Sequence, residues 1–342
     1  MNPLNTTPAY HTSAAMQGFH AEFKNLDDYI RVITDRIWEG RQIETIRDYY
    51  SDPCGVITPA GATTDVQSVI DGTKATLAQF PDRRLLAEDV IEAGDAQTGF
   101  LSSHRIISTM THLGDGNFGK ATGKKIHVRT VADCVCKDNR IVHEWLVRDQ
   151  GAIALAVGST PQEMAKQWLA ARSKPLLPQR LSAAPIWWRN PMSNSPVAQS
   201  YAVSVGQMLT GKAVDITLYD EAACHMGPVN STHYGRQEIQ GFYASIARSI
   251  SASSYEIESI TFMPASSSAG RPPRVALRWR LKGQHTGVGR YSAEARNQLD
   301  ILGINHAEFV KINNTWQVHR EWVLIDDVAV WMQVLDNTAS QK

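Results

Sequence analysis

Residues 140–149 read RIVHEWLVRD, and residues 317–326 read QVHREWVLID. Each run carries a Glu-Trp pair in an alternating, strand-like pattern, with an Asp four residues beyond the Trp: Glu144, Trp145 and Asp149, then Glu321, Trp322 and Asp326. The agreement continues upstream, where MTHLG at 110–114 and GQHTG at 283–287 place His112 and His285 at corresponding points. A likeness spread over so much chain marks a duplicated domain.

The length fits this reading, since 342 residues suit two domains of ordinary size. Lys+Arg and Asp+Glu both number 34, so the chain has no net field to attract nucleic acid or an anionic membrane, and neither is expected as a partner. No stretch approaches the ~20 apolar residues of a membrane span. MNPLNTTPAYHTSAAMQGF lacks the basic and apolar regions of a signal peptide, which points to a cytoplasmic protein. Cys54, Cys134, Cys136 and Cys224 read as reduced thiols, because Cys134 and Cys136 alternate on a strand and match neither a disulfide nor a CxxC zinc pair. The scattered histidines form no metal-ligand cluster, and no cofactor is expected.

Residues 1–20 are polar and are expected to be a mobile tail, followed by a first domain at 21–158. Helical periodicity begins near Leu26, and Asp65 is placed to cap a helix carrying Val66, Val69, Ile70 and Leu77. Strands are predicted at 85–92, 98–110, 124–136 and 140–149. Residues 159–196 form a helix from Pro161 and a Pro-rich linker, in which Trp187 and Trp188 read either as a clamp docking the linker or as a contact between domains or subunits. A second domain at 197–336 repeats the order, with strands at about 255–263, 273–284, 300–312 and 316–326, and residues 337–342 form a tail. Helices followed by hairpins give an α+β plan, with helices covering one face of an antiparallel sheet.

The runs FPDRRLLAEDVIEAGD, THLGDGNFGKATGKKI and CKDNRIVHEWLVRDQGAIALAVG resemble the SnoaL-like polyketide cyclase (ester cyclase) family of the nuclear transport factor 2 superfamily. The matching motifs are Phe80-Pro81-Asp82, Met110-Thr111-His112, Ala121-Thr122-Gly123-Lys124 and Arg140 to Asp149, with a weaker pass over the second copy, where AEARNQL at 293–299 replaces the Thr-Gly-Lys segment. The resemblance implies two tandem cone-shaped domains, each a curved antiparallel sheet packed on N-terminal helices (a cystatin-like roll) with a pocket at the open end. It also implies that Asp149, and Asp326 in the second copy, act as general acid/base in ring closure. Single domains of this kind pair through their sheets, so the duplication implies a pseudo-dimer within one chain, and further homo-oligomerisation is compatible with it.

Asp138-Asn139 suits a two-residue hairpin turn. Uninterrupted pairing from that turn places Cys134 opposite His143, Ala132 opposite Trp145 and Val128 opposite Asp149. Asp149 then ends a largely apolar face shared with Trp145, where poor hydration would raise its pKa toward that of a useful base. The competing reading of Asp149 is a helix cap for GAIALAVG. Glu144 and Glu321 fall on the opposite, solvated face. His112 and His285 are candidate hydrogen-bond donors or proton relays, or polar turn residues. Trp145, Trp322, His225 and Arg320 are candidate substrate contacts, with a buried structural histidine as the alternative for His225. The turn at Asn313-Asn314-Thr315 leaves the second hairpin's register open by one residue.

The function expected is acid/base catalysis on a small apolar carbonyl compound, either aldol-type cyclisation or isomerisation. The alternatives are a non-catalytic module binding a hydrophobic ligand and an epoxide or lactone hydrolase. The sequence contains no HExxH, P-loop or GxSxG pattern.

Overall fold

A computed structural model of the chain describes residues 14–172, 184–294 and 296–336. The first domain runs α1 (Leu26–Thr34), α2 (Ile46–Tyr49), β1 (Tyr50–Thr58), β2 (Gly61–Thr63), α3 (Val66–Gln79), β3 (Arg84–Asp95), β4 (Gly99–Thr111), β5 (Lys125–Lys137), β6 (Arg140–Arg148) and α4 (Gln150–Val157). A connecting α5 (Pro161–Ala171) leads toward the second domain: α6 (Pro196–Leu209), β7 (Tyr219–Met226), β8 (Thr232–Tyr234), α7 (Gly235–Ala247), β9 (Ile250–Met263), β10 (Arg274–His285), β11 (Gln298–Ile312), β12 (Thr315–Leu324) and α8 (Asp327–Leu335).

The two domains have the same topology. Their six-stranded sheets run β2-β1-β6-β5-β4-β3 and β8-β7-β12-β11-β10-β9. The sheets are mixed rather than wholly antiparallel as expected, because β1 pairs with β6, and β7 with β12, in parallel. Each of these early strands is followed by a short strand, a helix and three longer strands before its partner, and so reaches it by a long crossover rather than a hairpin. Helices preceding a six-stranded mixed sheet, twice over, are consistent with the nuclear transport factor 2-like plan.

Local chemistry accounts for most of the element ends. Asp65 accepts from the N–H groups of Gln67 (2.9 Å) and Ser68 (3.1 Å) at the start of α3. Thr160 and Glu163 form a reciprocal capping box at α5. Asp138-Asn139 and Asn313-Asn314 all take positive φ, the conformation a two-residue hairpin turn requires.

Pairing after those turns is interrupted, and this corrects the expected register. In the first domain Val135 pairs with His143 but Cys136 pairs with Ile141, so Val142 is an extra residue. In the second, Glu308 pairs with Arg320 but Phe309 with Val318, so His319 is the extra residue. One bulged residue reverses which side of the sheet each following side chain faces. Cys134 therefore lies opposite Glu144, and Ala132 opposite Leu146. Glu144, Leu146 and Arg148 turn inward under the helices, and His143, Trp145 and Val147 turn to the other face.

That other face is where the domains meet. Val131, Val135, Trp145 and Val147 cluster with Leu302, Ile304, Leu324 and the linker's Trp188. The contacts obey a pseudo-twofold relation. The Arg278 guanidinium lies 3.6 Å from the Trp145 ring centroid, and the Arg105 guanidinium lies 3.5 Å from that of Trp322. Arg278 also pairs with buried Asp133 at 2.5 Å. Arg105 donates to Nδ1 of His306 (3.1 Å), which leaves Nε2 as the nitrogen donating to Ser103 Oγ (2.8 Å). Asp89 of the first domain pairs with Arg271 and Arg274 of the second. Trp188 is buried in this cluster and donates to Asn190, which also accepts from Arg278. Of the two readings of the Trp pair, Trp188 takes the inter-domain one, while Trp187 stays 43% exposed against Lys137.

Of the expected tail at 1–20, residues 1–13 lie outside the described residues and residues 16–19 belong to the fold. Met16 and Phe19 are buried in the first domain's core, with Phe19 edge-on to Tyr29 and Phe100. Two apolar residues in a polar run suffice when they close the end of a core. The tail at 337–342 and linker residues 173–183 lie outside the described residues.

Candidate active site

A cavity of about 300 Å³ lies in the first domain between the inner face of its sheet and helices α1 and α3. Its walls are mostly apolar, with Ile33, Trp38, Val69, Ile106 and Leu146 among them. A few polar groups interrupt this surface, as in sites that orient a small molecule. Glu144 is the central one.

Glu144 reaches the cavity because the bulge at Val142 turns it inward. Tyr50, at the first position of β1, donates its hydroxyl to Glu144 Oε2 at 3.1 Å. Burial pushes the Glu144 carboxyl up to about 7, and the Tyr50 hydroxyl and the Arg148 charge only partly oppose this. A carboxyl that titrates near neutrality can both take and return a proton. Burial holds His104 on the neighbouring wall down at about 4, so it is a neutral imidazole.

Arg148 and Arg83 bring two guanidiniums to the same cavity. Arg148 Nε, Thr130 Oγ1 and Gln150 Oε1 are buried without a hydrogen-bond partner among the described residues. Asp326 also lines this cavity, although it belongs to the second domain. Its Oδ1 caps α8 by accepting from Val328 (3.0 Å) and Ala329 (3.2 Å), and burial lifts its pKa well above the usual range.

The second domain fills the corresponding space. The paired registers align Arg105 with Arg278, Val131 with Ile304 and Val147 with Leu324. Ile106 then corresponds to Trp279, Thr130 to Gly303, Ala132 to Asn305, and Arg148 to Ile325. The Trp279 indole occupies the room Gly303 leaves: a Cβ there would sit 2.1 Å from the ring. Trp279 Nε1 donates to Asn305 Oδ1 at 2.8 Å. Glu321, the counterpart of Glu144, accepts from the hydroxyls of Tyr201, Tyr219 and Tyr243 and from the Asn305 amide. It is a carboxyl sealed in a hydrogen-bonded core, whereas Glu144 has one protein donor and a cavity beside it.

The other residues singled out in the sequence are dispersed. Asp149 caps α4 by accepting from the Ala152 N–H (3.0 Å) and also accepts from the Asn230 N–H across the domain boundary (3.2 Å). Burial pushes its carboxyl up to about 6. His112 packs on Phe80 and meets Thr122 Oγ1 at 3.2 Å, away from the cavity lining. His285 Nε2 meets the Tyr291 carbonyl at 2.7 Å. His225 is buried 3.7 Å from Glu321 and against His233, and burial holds it down at about 3. Arg320 pairs with Glu308 at 3.2 Å at the surface. Trp145 and Trp322 hold the domain interface rather than a pocket.

Strict alternation places Glu144 on the solvated face, and the bulge at Val142 reverses this. The clue that could have retrieved Glu144 was its recurrence as Glu321 within apolar strand sequence, each copy having a Tyr (Tyr50, Tyr219) at the start of an earlier strand. Among the described residues no three His, Cys, Asp or Glu side chains come together as a metal-binding group, and no helix is long and apolar enough to cross a membrane.

No family model and no curated protein matches the sequence. Solved structures resemble it over about one domain's length. IdmH from Streptomyces antibioticus is 23% identical with a TM-score of 0.33, covering 38% of this chain and 96% of its own. A SnoaL-like polyketide cyclase from Agrobacterium tumefaciens is 16% identical with a TM-score of 0.34, covering 40% and 100%. TsrD from Streptomyces laurentii is 13% identical with a TM-score of 0.34, covering 39% and 95%.

Proposed function

We propose that the first domain is a small-molecule enzyme of SnoaL-like type, in which Glu144 transfers protons on an apolar carbonyl compound, and that the second domain is a non-catalytic partner. The observation that carries this reading is the contrast within one chain. Burial pushes both carboxyls up to about 7, but Glu144 stands on the wall of a cavity with one protein donor, while its counterpart Glu321 is enclosed by three tyrosines and an asparagine.

In this mechanism the Glu144 carboxylate removes a proton α to the substrate carbonyl, and the electron pair moves onto the carbonyl oxygen as an enolate. Arg148 supplies the nearby positive charge. The enolate carbon then attacks a second carbonyl of the same molecule, and protonated Glu144 returns its proton to the new alkoxide. In the simpler variant the proton is returned at another carbon and the double bond migrates. Tyr50 is a positioning residue that fixes the carboxyl. Proton transfer by such a group is worth about 10²–10⁴-fold, with orientation in the cavity adding to it.

The test is exchange of the α-hydrogens of 2-tetralone and 2-oxo-4-phenylbutanoate in D₂O, followed by NMR. The native protein should accelerate exchange, and Glu144→Gln should remove the acceleration. Full activity in Glu144→Gln would overturn the assignment. A second reading, hydrolytic opening of an epoxide or lactone, is favoured by one observation: Glu144, Asp326 and Arg148 line one cavity and provide two acids and a cation. Incorporation of ¹⁸O from water into a ring-opened product would select it.

A further inference from the structure

We propose that the ligand of the first domain's cavity is an organic anion, with an apolar body in the cavity and a carboxylate, or an oxyanion of similar geometry, held by Arg148 and Arg83. This rests on the cavity being the binding site and adds the chemical class of what it binds.

The argument begins with the unmet demand of the two guanidiniums. Arg148 makes no hydrogen bond to any described residue, and its Nε is buried without a partner. Arg83 is 4% exposed, and its side chain meets only the Ser108 hydroxyl, at 3.2 and 3.4 Å. Among the described residues no carboxylate lies within 4.0 Å of either group: Glu39, the acid nearest in effect to Arg83, is taken by Arg84 and the Leu85 N–H. An arginine does not escape burial by losing its proton, so two of them on one apolar cavity need an anion. A guanidinium presents a fork of donors that matches a carboxylate.

The acids on the same walls do not pair directly with these guanidiniums. Glu144 is bound by Tyr50, and Asp326 is committed to the α8 N-terminus. Both acids attract the Arg148 charge, but neither carboxylate comes within 4.0 Å of a guanidinium nitrogen of Arg148 or Arg83, so neither guanidinium is ion-paired on these walls. The arginines also repel one another, which adds to the burial that lowers Arg83. The second domain supplies an internal comparison, because Ile325 stands where Arg148 stands and Trp279 fills the cavity. Where the hollow is gone, so is the cation.

Isothermal titration of the full-length protein at pH 7.5 with benzoate, 2-naphthoate and their carboxamides tests this. The carboxylates should bind at least tenfold more tightly than the isosteric amides. Arg148→Ile should weaken carboxylate binding at least tenfold and leave amide binding unchanged, and Arg148→Lys should keep part of the preference. Equal or tighter binding of the amides to the native protein would overturn the anion assignment and leave the cavity reading standing. If no probe of either kind binds, the cavity itself fails as the binding site. The native comparison decides even if the Ile variant does not fold.

Discussion

Glu144 and Glu321 occupy the same place in two copies of one strand, and burial pushes both up to about 7, yet they differ in their donors and in what lies beside them. Glu321 accepts from four donor groups in the packed core; Glu144 has one donor and a cavity. As a general base Glu144 must be ionised, so α-proton exchange should rise with pH through about 7 and level off above it. Tyr50→Phe removes a donor to the charged form and should move that midpoint to higher pH, which a pH–rate profile would reveal. Stability should show the reverse trend. The carboxyl titrates near 7 in the fold against 4.5 as its ordinary value, so its contribution is present below about pH 4.5 and is lost as pH rises through 7. Glu144→Gln should therefore be more stable than the native protein at pH 8, by up to roughly 3 kcal/mol in denaturant titration, while losing activity.

A single extra residue in each hairpin decides which side chains enter the interior. Val142 and His319 are the bulged positions, and each lies just before a Glu-Trp pair. Deleting Val142 would remove the bulge yet keep Glu144 opposite Cys134 and Trp145 opposite Asp133, so Glu144 and Arg148 should stay inward and Trp145 at the interface. The deletion should therefore keep probe binding and cost only the local packing of one half-buried side chain, roughly 0.5–3 kcal/mol, measured by thermal unfolding of the deletion variant beside Val142→Ala. The turn and strand limits at Asp138-Asn139 were legible because those residues favour the required backbone. The bulge was not, because nothing in RIVHEW distinguishes an extra residue from an alternating one until cross-strand partners compete for it. The Asp149 cap was legible as one of two readings, since it precedes a helical apolar run. A second prediction concerns the fill of the sheet interior. Ile106→Trp combined with Thr130→Gly copies the Trp279–Gly303 pair into the first domain, and should abolish probe binding while the melting temperature is kept or raised.

At the scale of the whole molecule, the two domains are bound through the faces of their sheets by reciprocal Arg-on-Trp contacts around an apolar cluster. Arg278→Met would leave Asp133 buried without its cation, so a loss of about 3–5 kcal/mol is expected in equilibrium unfolding, with the cavity's probe affinity little changed. The same apposition carries Asp326 from the second domain to the first domain's cavity and sets Asn230 against Asp149. The sequence by itself determined the duplication, the order of helices and strands in each copy, the hairpin turns and the helix caps, because these depend on residues close together in the chain. Only the tertiary structure decided which carboxyl faces a cavity, which copy is hollow, and which domain supplies each wall. Those outcomes rest on register, on the volume of one indole against one absent side chain, and on contacts between segments far apart in the chain, and none of these has a local signature.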